Sequence, residues 1–247
     1  ISQLSGGGGE EFFRAMDVWV NEPTTPVRLS YAGETSATGG FVRRDYQNVI
    51  LFDDPNNEIA DLDCASGGTL AIGGPWYLGT GTFNGLPFLR IVEGDMIVNN
   101  GIDCLFPLIS NPSRCIERTF AHELGHTLGL AHSSENRNEP NATLRDALMF
   151  YFFTFGDTRP ALLNSDDIAG LRFLYLKVGS APPPPPTGGC PSGTPPNTLC
   201  LLNGRFRVTG VWQNQFNSTS GVAIPITNTN LSGFFYNDRV PNANIQA

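Results

Sequence analysis

The run Thr119-Phe-Ala-His122-Glu123-Leu-Gly-His126-Thr-Leu-Gly129-Leu-Ala-His132-Ser133 sets one glutamate and three histidines at spacings suited to a metal site. Residues four apart share a helix face, so His122 and His126 can grip one ion. Glu123 occupies the adjoining position, within reach of a water that such an ion would hold. Gly129 permits a backbone conformation closed to other residues. The chain can therefore leave the helix and swing His132 back as a third ligand. Three nitrogen ligands with a fourth position left open are what hydrolytic zinc chemistry needs. The chain has three histidines in all, and every one falls in this run. A chance surface cluster would require neither the glycine nor the glutamate.

A helix must carry the first two histidines. Ile116, Phe120, Leu124 and Leu128 recur every fourth residue and give it one apolar face. Ser113, after Pro112, is the expected N-cap, and Gly129 the stop. Phe12, Phe13, Met16, Trp19 and Val20 predict an earlier helix over 10–20, ended by Pro23 and Pro26. A third helix is expected from Asn164-Ser165-Asp-Asp167, where capping and acidic side chains suit the positive helix start. Val27–Tyr31, Asn48–Phe52, Gly68–Ile72 and Gly94–Val98 read as strands. The glycines between residues 73 and 85 suggest a long loop joining the last two.

The formal net charge of -8 argues against nucleic acid or an anionic membrane as the main partner. No apolar stretch reaches the roughly 18–20 residues that span a bilayer. The first residue is Ile1, and no signal-like segment stands there, so the sequence reads as a mature form or an excised fragment. Five prolines, Pro182 to Pro186, favour a semi-rigid spacer. They divide residues 1–179 from a linker at 180–189 and a segment at 190–247. In that last segment 204–212, 222–227 and 233–236 pattern as strands of a small all-β module. Trp212, Phe234, Phe235 and Tyr236 suit its core or a binding face.

Cys104 with Cys115 and Cys190 with Cys200 are close in sequence, and these two disulfides are expected, leaving Cys64 over. With the Pro- and Gly-rich composition they point outside the cell. Asp53, Asp54, Glu58, Asp61 and Asp63 crowd oxygens into one segment that calcium could use, although the spacing is not that of an EF-hand. Asn141-Ala-Thr, Asn217-Ser-Thr and Asn230-Leu-Ser fit the glycosylation pattern.

The histidine run matches the long zinc motif of the metzincins, His-Glu-x-x-His-x-x-Gly-x-x-His. It most resembles the matrixin, or matrix-metalloproteinase-like, branch. Ser133 after the third histidine is the matrixin choice. Ala147-Leu-Met149 resembles the matrixin Met-turn, and Leu163 to Tyr175 is similar to the closing matrixin helix. The resemblance is loose over 10–177 and close over 116–175. It implies an α+β domain: a twisted mixed sheet with the active-site helix below a cleft, here followed by the β module.

It also implies one catalytic zinc on His122, His126 and His132, Glu123 as general base, and Met149 as the floor beneath the metal. A protein or peptide substrate would lie as an extra strand along Gly68, Thr69, Leu70 and Ala71. Phe150 and Tyr151 would shape the pocket for the residue after the scissile bond. Calcium is common in the family. Two departures stand out. The stretch from Glu135 to Thr143 is longer than usual, and Phe150-Tyr-Phe-Phe153 stands where a proline normally follows the Met-turn. With no spare histidine, the family's second, structural zinc is expected to be missing. The expected protein is a secreted, monomeric zinc endopeptidase. The alternatives are a zinc-binding but non-catalytic surface or adhesion module, and a zinc amide hydrolase acting on cell-wall material.

Overall fold

The computed structural model describes residues 1–83 and 86–175, and the backbone of two short strands at 199–202 and 205–208. Helix α1 (Gly9–Val20) and helix α2 (Pro112–Thr127) pack together beneath a three-stranded sheet. The sheet contains β1 (Ile50–Leu51), β2 (Ala71–Phe83) and β3 (Leu86–Val98), in the order β1-β3-β2. β1 pairs parallel with β3, and β2 pairs antiparallel with it from Ala71↔Val98 to Phe83↔Leu86. β2 is thus an edge strand among the described residues. Short α3 (Ala142–Arg145) and α4 (Ser165–Leu174) follow α2.

The core explains why α1 and α2 sit where they do. Ala15 and Trp19 of α1 and Ile116, Phe120 and Ala121 of α2 are buried together, against Met96 and Val98 of β3. The Trp19 Nε1–H donates to the Ala121 carbonyl at 2.8 Å, which satisfies the one polar atom of a ring buried for its area. Arg14 and Ser113 donate to Glu11 at 2.9 and 2.6 Å and tie the helix starts together. Ser113 is therefore not the N-cap of α2. That role falls to Asn111, whose side chain accepts from the Arg114 N–H at 3.1 Å, with Pro112 at the first helical position. At α4 the expected cap is present: Asn164 and Asp167 form a reciprocal capping box.

Several sheet expectations are corrected: of Asn48–Phe52 only Ile50–Leu51, and of Gly68–Ile72 only Ala71–Ile72, are strand. Val27–Tyr31 forms no strand. Its alternation reflects burial of Val27 and packing of Leu29 on the core, without a partner ladder. The glycine-rich stretch after residue 72 is not a loop but most of β2. One of its glycines, Gly73, serves close approach. A Cβ at Gly73 would lie 2.3 Å from the Glu123 carbonyl oxygen, so only glycine lets β2 rest directly on α2 there.

The cysteine pairing is also corrected. Cys64 bonds Cys104, and Cys115 is a free, buried thiol. Cys115 lies in the first turn of α2 with its side chain in the core, and burial pushes its thiol up to about 12. Cys104 instead lies on the 3-10 helix Ile102–Leu108, beside the loop that carries Cys64. The bridge spans 40 residues, a closure worth about 4 kcal/mol by chain entropy. A Cys64→Ser/Cys104→Ser double variant should unfold at a clearly lower denaturant midpoint. An unchanged midpoint would contradict that contribution.

Of the 190–247 segment, the described part is an antiparallel pair, β4 (Leu199–Leu202) and β5 (Arg205–Val208), in register from Leu199↔Val208 to Leu202↔Arg205. The expected strands at 222–227 and 233–236, Trp212, the proline linker and the Cys190–Cys200 pairing lie outside the described residues. No described helix is long and apolar enough to cross a membrane.

Candidate metal centre

The chain reverses at the end of α2 by a glycine turn. Gly129 has φ 91°, its N–H donates to the His126 carbonyl at 2.8 Å, and the Leu130 N–H donates back to Gly125 at 3.0 Å. This Schellman arrangement satisfies carbonyls at the helix end. It also aims the Leu130 carbonyl at His126, whose Nδ1 lies 2.7 Å away. His122 Nδ1 lies 2.8 Å from the Leu148 carbonyl, and His132 Nδ1 lies 2.6 Å from Glu135 Oε1. Each Nδ1 thus has an acceptor, which places the proton on Nδ1 and the lone pair on Nε2.

The three Nε2 atoms converge. Their separations are 3.0 Å (His122–His126), 3.1 Å (His126–His132) and 3.2 Å (His122–His132). Three lone pairs facing one another at these distances repel unless a cation lies among them. Ligands about 2.0–2.1 Å from a tetrahedral zinc stand roughly 3.3 Å apart, so the trio fits such an ion. Burial first, and the neighbouring histidines second, hold His122 well below the usual imidazole range; the same causes bring His126 to about 4. Neutral imidazoles are the form that binds metal. Among the described residues, these three are the one group whose ligand atoms gather this closely. The acidic segment uses its oxygens locally. Asp54 accepts from the Glu58 and Ile59 N–H groups, each at 2.8 Å, and Asp63 from Ala65 and Ser66.

Glu123 lines the same cleft and is buried. Burial pushes its carboxyl up to about 8, and a hydrogen bond from the Gly73 backbone works against that rise. A dication beside it would favour the carboxylate.

Beside the histidines runs the Ala147–Met149 turn, the segment expected to be the Met-turn. Met149 is 2% exposed, with its sulfur over Gly125 of α2. The Ser133 N–H donates to the Met149 carbonyl at 2.9 Å, which joins the segment after His132 to this turn. Asp167 of α4 holds the turn from the other side: its carboxylate accepts from the Leu148 and Met149 N–H groups at 2.8 and 3.0 Å. The next carboxyl, Asp166, is pushed up to about 7, by burial first and the Asp167 charge second. A raised carboxyl pKa means that burying the ionised form costs stability. That cost is complete above about pH 7 and is relieved as pH falls toward the unfolded value near 4. Asp166→Asn should therefore raise the melting temperature more near pH 8 than near pH 5. Equal shifts at the two pH values would contradict this.

The cleft has a volume of about 1050 Å³. Gly68, Thr69, Leu70 and Ala71 form part of one wall. Asn99 pins that wall, its backbone N–H donating to the Leu70 carbonyl and its side-chain amide to the Thr69 carbonyl. Phe150 and Tyr151 also line the cleft, and the Tyr151 ring lies 6.1 Å from that of His132. Several lining residues had no distinguishing sequence signal. Phe41 and Phe155 come from distant loops. Arg118, four residues before His122, is buried and donates to the Ala147 carbonyl at 3.0 Å. Glu135 and Arg137 belong to the lengthened loop, with the Arg137 guanidinium 4.3 Å above the Phe152 ring.

A histidine pair on a helix, a glycine turn, a returning third histidine and a methionine turn beside them define a metzincin-type fold and site. The Matrixin (Peptidase M10) family model matches residues 9–176. The chain belongs to the matrixin family. It is 35% identical to mouse (Mus musculus) stromelysin-3 over 111 residues, 44% of this chain and 20% of that protein. It is 27% identical to human (Homo sapiens) matrilysin over 164 residues, 66% of this chain and 49% of that protein. Human matrix metalloproteinase-16 is 26% identical over 187 residues, 69% of this chain and 24% of that protein. The chain thus spans between a fifth and a half of these relatives.

Proposed function

We propose that the protein is a secreted zinc-dependent endopeptidase that hydrolyses peptide bonds of extracellular proteins. The observation that carries this reading is the convergence of three Nε2 lone pairs within 3.2 Å, in a cleft shared with a buried carboxylate and an edge strand. His122, His126 and His132 would hold the ion, and zinc there supplies Lewis acidity toward a water and a carbonyl oxygen. Glu123 takes the water proton and returns it to the leaving amine. The Gly73 backbone offers its carboxylate a hydrogen bond. The segment from Gly68 to Ala71 offers main-chain groups on which an extended peptide can lie as an added strand. Phe150 and Tyr151 shape the pocket for the residue after the scissile bond, and buried Met149 supports the metal site from below.

The Cys64–Cys104 disulfide supports an extracellular setting, since such bonds persist in oxidising compartments. Residues 1–179 form the peptidase domain of this reading. The Pro/Gly-rich 180–189 is a linker, and 190–247 a small β module serving as an appendage. The test is hydrolysis of an unfolded protein and of cell-wall fragments side by side, with and without a zinc chelator. Chelator-sensitive cleavage of the protein alone is expected. Cleavage confined to the cell-wall fragments would transfer the reading to amide hydrolysis there, and zinc binding without either activity to a surface module.

A further inference from the structure

The three histidines are not oriented alike. The Nδ1 groups of His122 and His126 meet the backbone carbonyls of Leu148 and Leu130, both fixed by the fold. His132 meets a side chain: Glu135 Oε1 stands 2.6 Å from its Nδ1. Glu135 comes from the stretch that makes this chain longer than a typical matrixin between the third histidine and the Met-turn. That stretch has its own scaffold. The Ser134 hydroxyl donates to Glu139 at 2.6 Å, the Asn136 N–H donates to Ser134, and the Asn141 N–H donates to Glu139 at 2.9 Å. The chain is thereby folded back so that Glu135 reaches the histidine three residues earlier.

We infer that Glu135 is a positioning residue for the metal: by accepting a hydrogen bond from the His132 Nδ1–H it fixes the tautomer and ring plane of the third ligand and makes its Nε2 a stronger donor. This rests on the three-histidine zinc site proposed above. An exposed contact of a carboxylate is ordinarily worth little, and the Glu135 side chain is 66% exposed. Its partner here is different, because the far nitrogen of the same ring lies 3.1–3.2 Å from two other prospective ligands. A carboxylate behind a ligating imidazole raises its basicity, and losing such a partner typically costs about 10–100-fold in metal affinity.

The experiment is competition for zinc against a chromophoric chelator, using the full chain as wild type, Glu135→Gln and Glu135→Ala, with melting of each metal-free protein alongside. Alanine should weaken zinc binding by about 10–100-fold with the metal-free melting temperature unchanged. Glutamine keeps an acceptor oxygen but not the charge, and should fall between the two. Zinc affinities within about twofold for all three would overturn the inference. So would losses matched by an equal fall in metal-free melting temperature, which would make Glu135 a loop-stability residue. Wild type that binds no zinc would instead overturn the underlying site, so the two failures are distinguishable.

Discussion

Glu123→Ala is expected to lower peptide hydrolysis by at least about 10²–10⁴-fold while zinc stays bound, because the variant removes the proton acceptor and none of the three nitrogen ligands. The geometry allows this separation. His122 and His126 take their orientation from Leu148 and Leu130, and His132 takes its own from Glu135; none depends on Glu123. The loss should fall mainly on kcat, since proton transfer belongs to the transition state. Glu123→Gln is the sharper control. It keeps the volume beneath Gly73 but cannot take a proton, and should be as inactive as alanine. The measurement is steady-state hydrolysis of an unfolded protein, with zinc content determined on the same samples. A glutamine variant retaining substantial activity would contradict the role of Glu123.

Asp167→Ala should cost about 3 kcal/mol or more of stability and loosen zinc as well. The carboxylate accepts three backbone N–H groups, from Leu148, Met149 and Asn164, at 2.8–3.0 Å. A buried donor left without a partner costs about 1–3 kcal/mol. Removing the acid also removes its own desolvation cost, so the three losses do not add in full. The consequence for the metal runs through Leu148, whose N–H is held by Asp167 and whose carbonyl faces His122. Asp167→Asn should rescue little. Both carboxylate oxygens are in use, and the amide would set an NH2 against an N–H donor. Denaturant unfolding and zinc competition measure the two effects, and a near-neutral Asp167→Ala would show that α4 does not hold the Met-turn.

What could be read from the sequence followed chain distance. The α1 and α2 helices follow from apolar residues three and four apart, and α4 from a cap within three residues. The convergence of His122, His126 and His132 spans only ten residues, a helix face and one glycine turn. The features that escaped depend on distant partners. Cys64 reaches Cys104 across 40 residues, while nearer Cys115 points into the core. β2 looked like a loop because its glycines lower strand propensity; what Gly73 serves is contact with α2, visible only once Glu123 and Gly73 lie together. The Asp167 side chain reads as a helix cap from its neighbours, but its hold on the Met-turn crosses 18–19 residues. Glu135 had no signal beyond its place in a lengthened loop.

The central claim is that hydrolysis depends on one zinc held by the three histidines. The most direct measurement strips the purified protein of metal with a chelator, returns zinc in measured steps, and follows cleavage of an unfolded protein. Activity should vanish on stripping and recover linearly to a plateau at one zinc per chain, and His126→Ala should recover none. Cleavage that survives complete metal removal, or a His126→Ala variant that recovers like wild type, would contradict it.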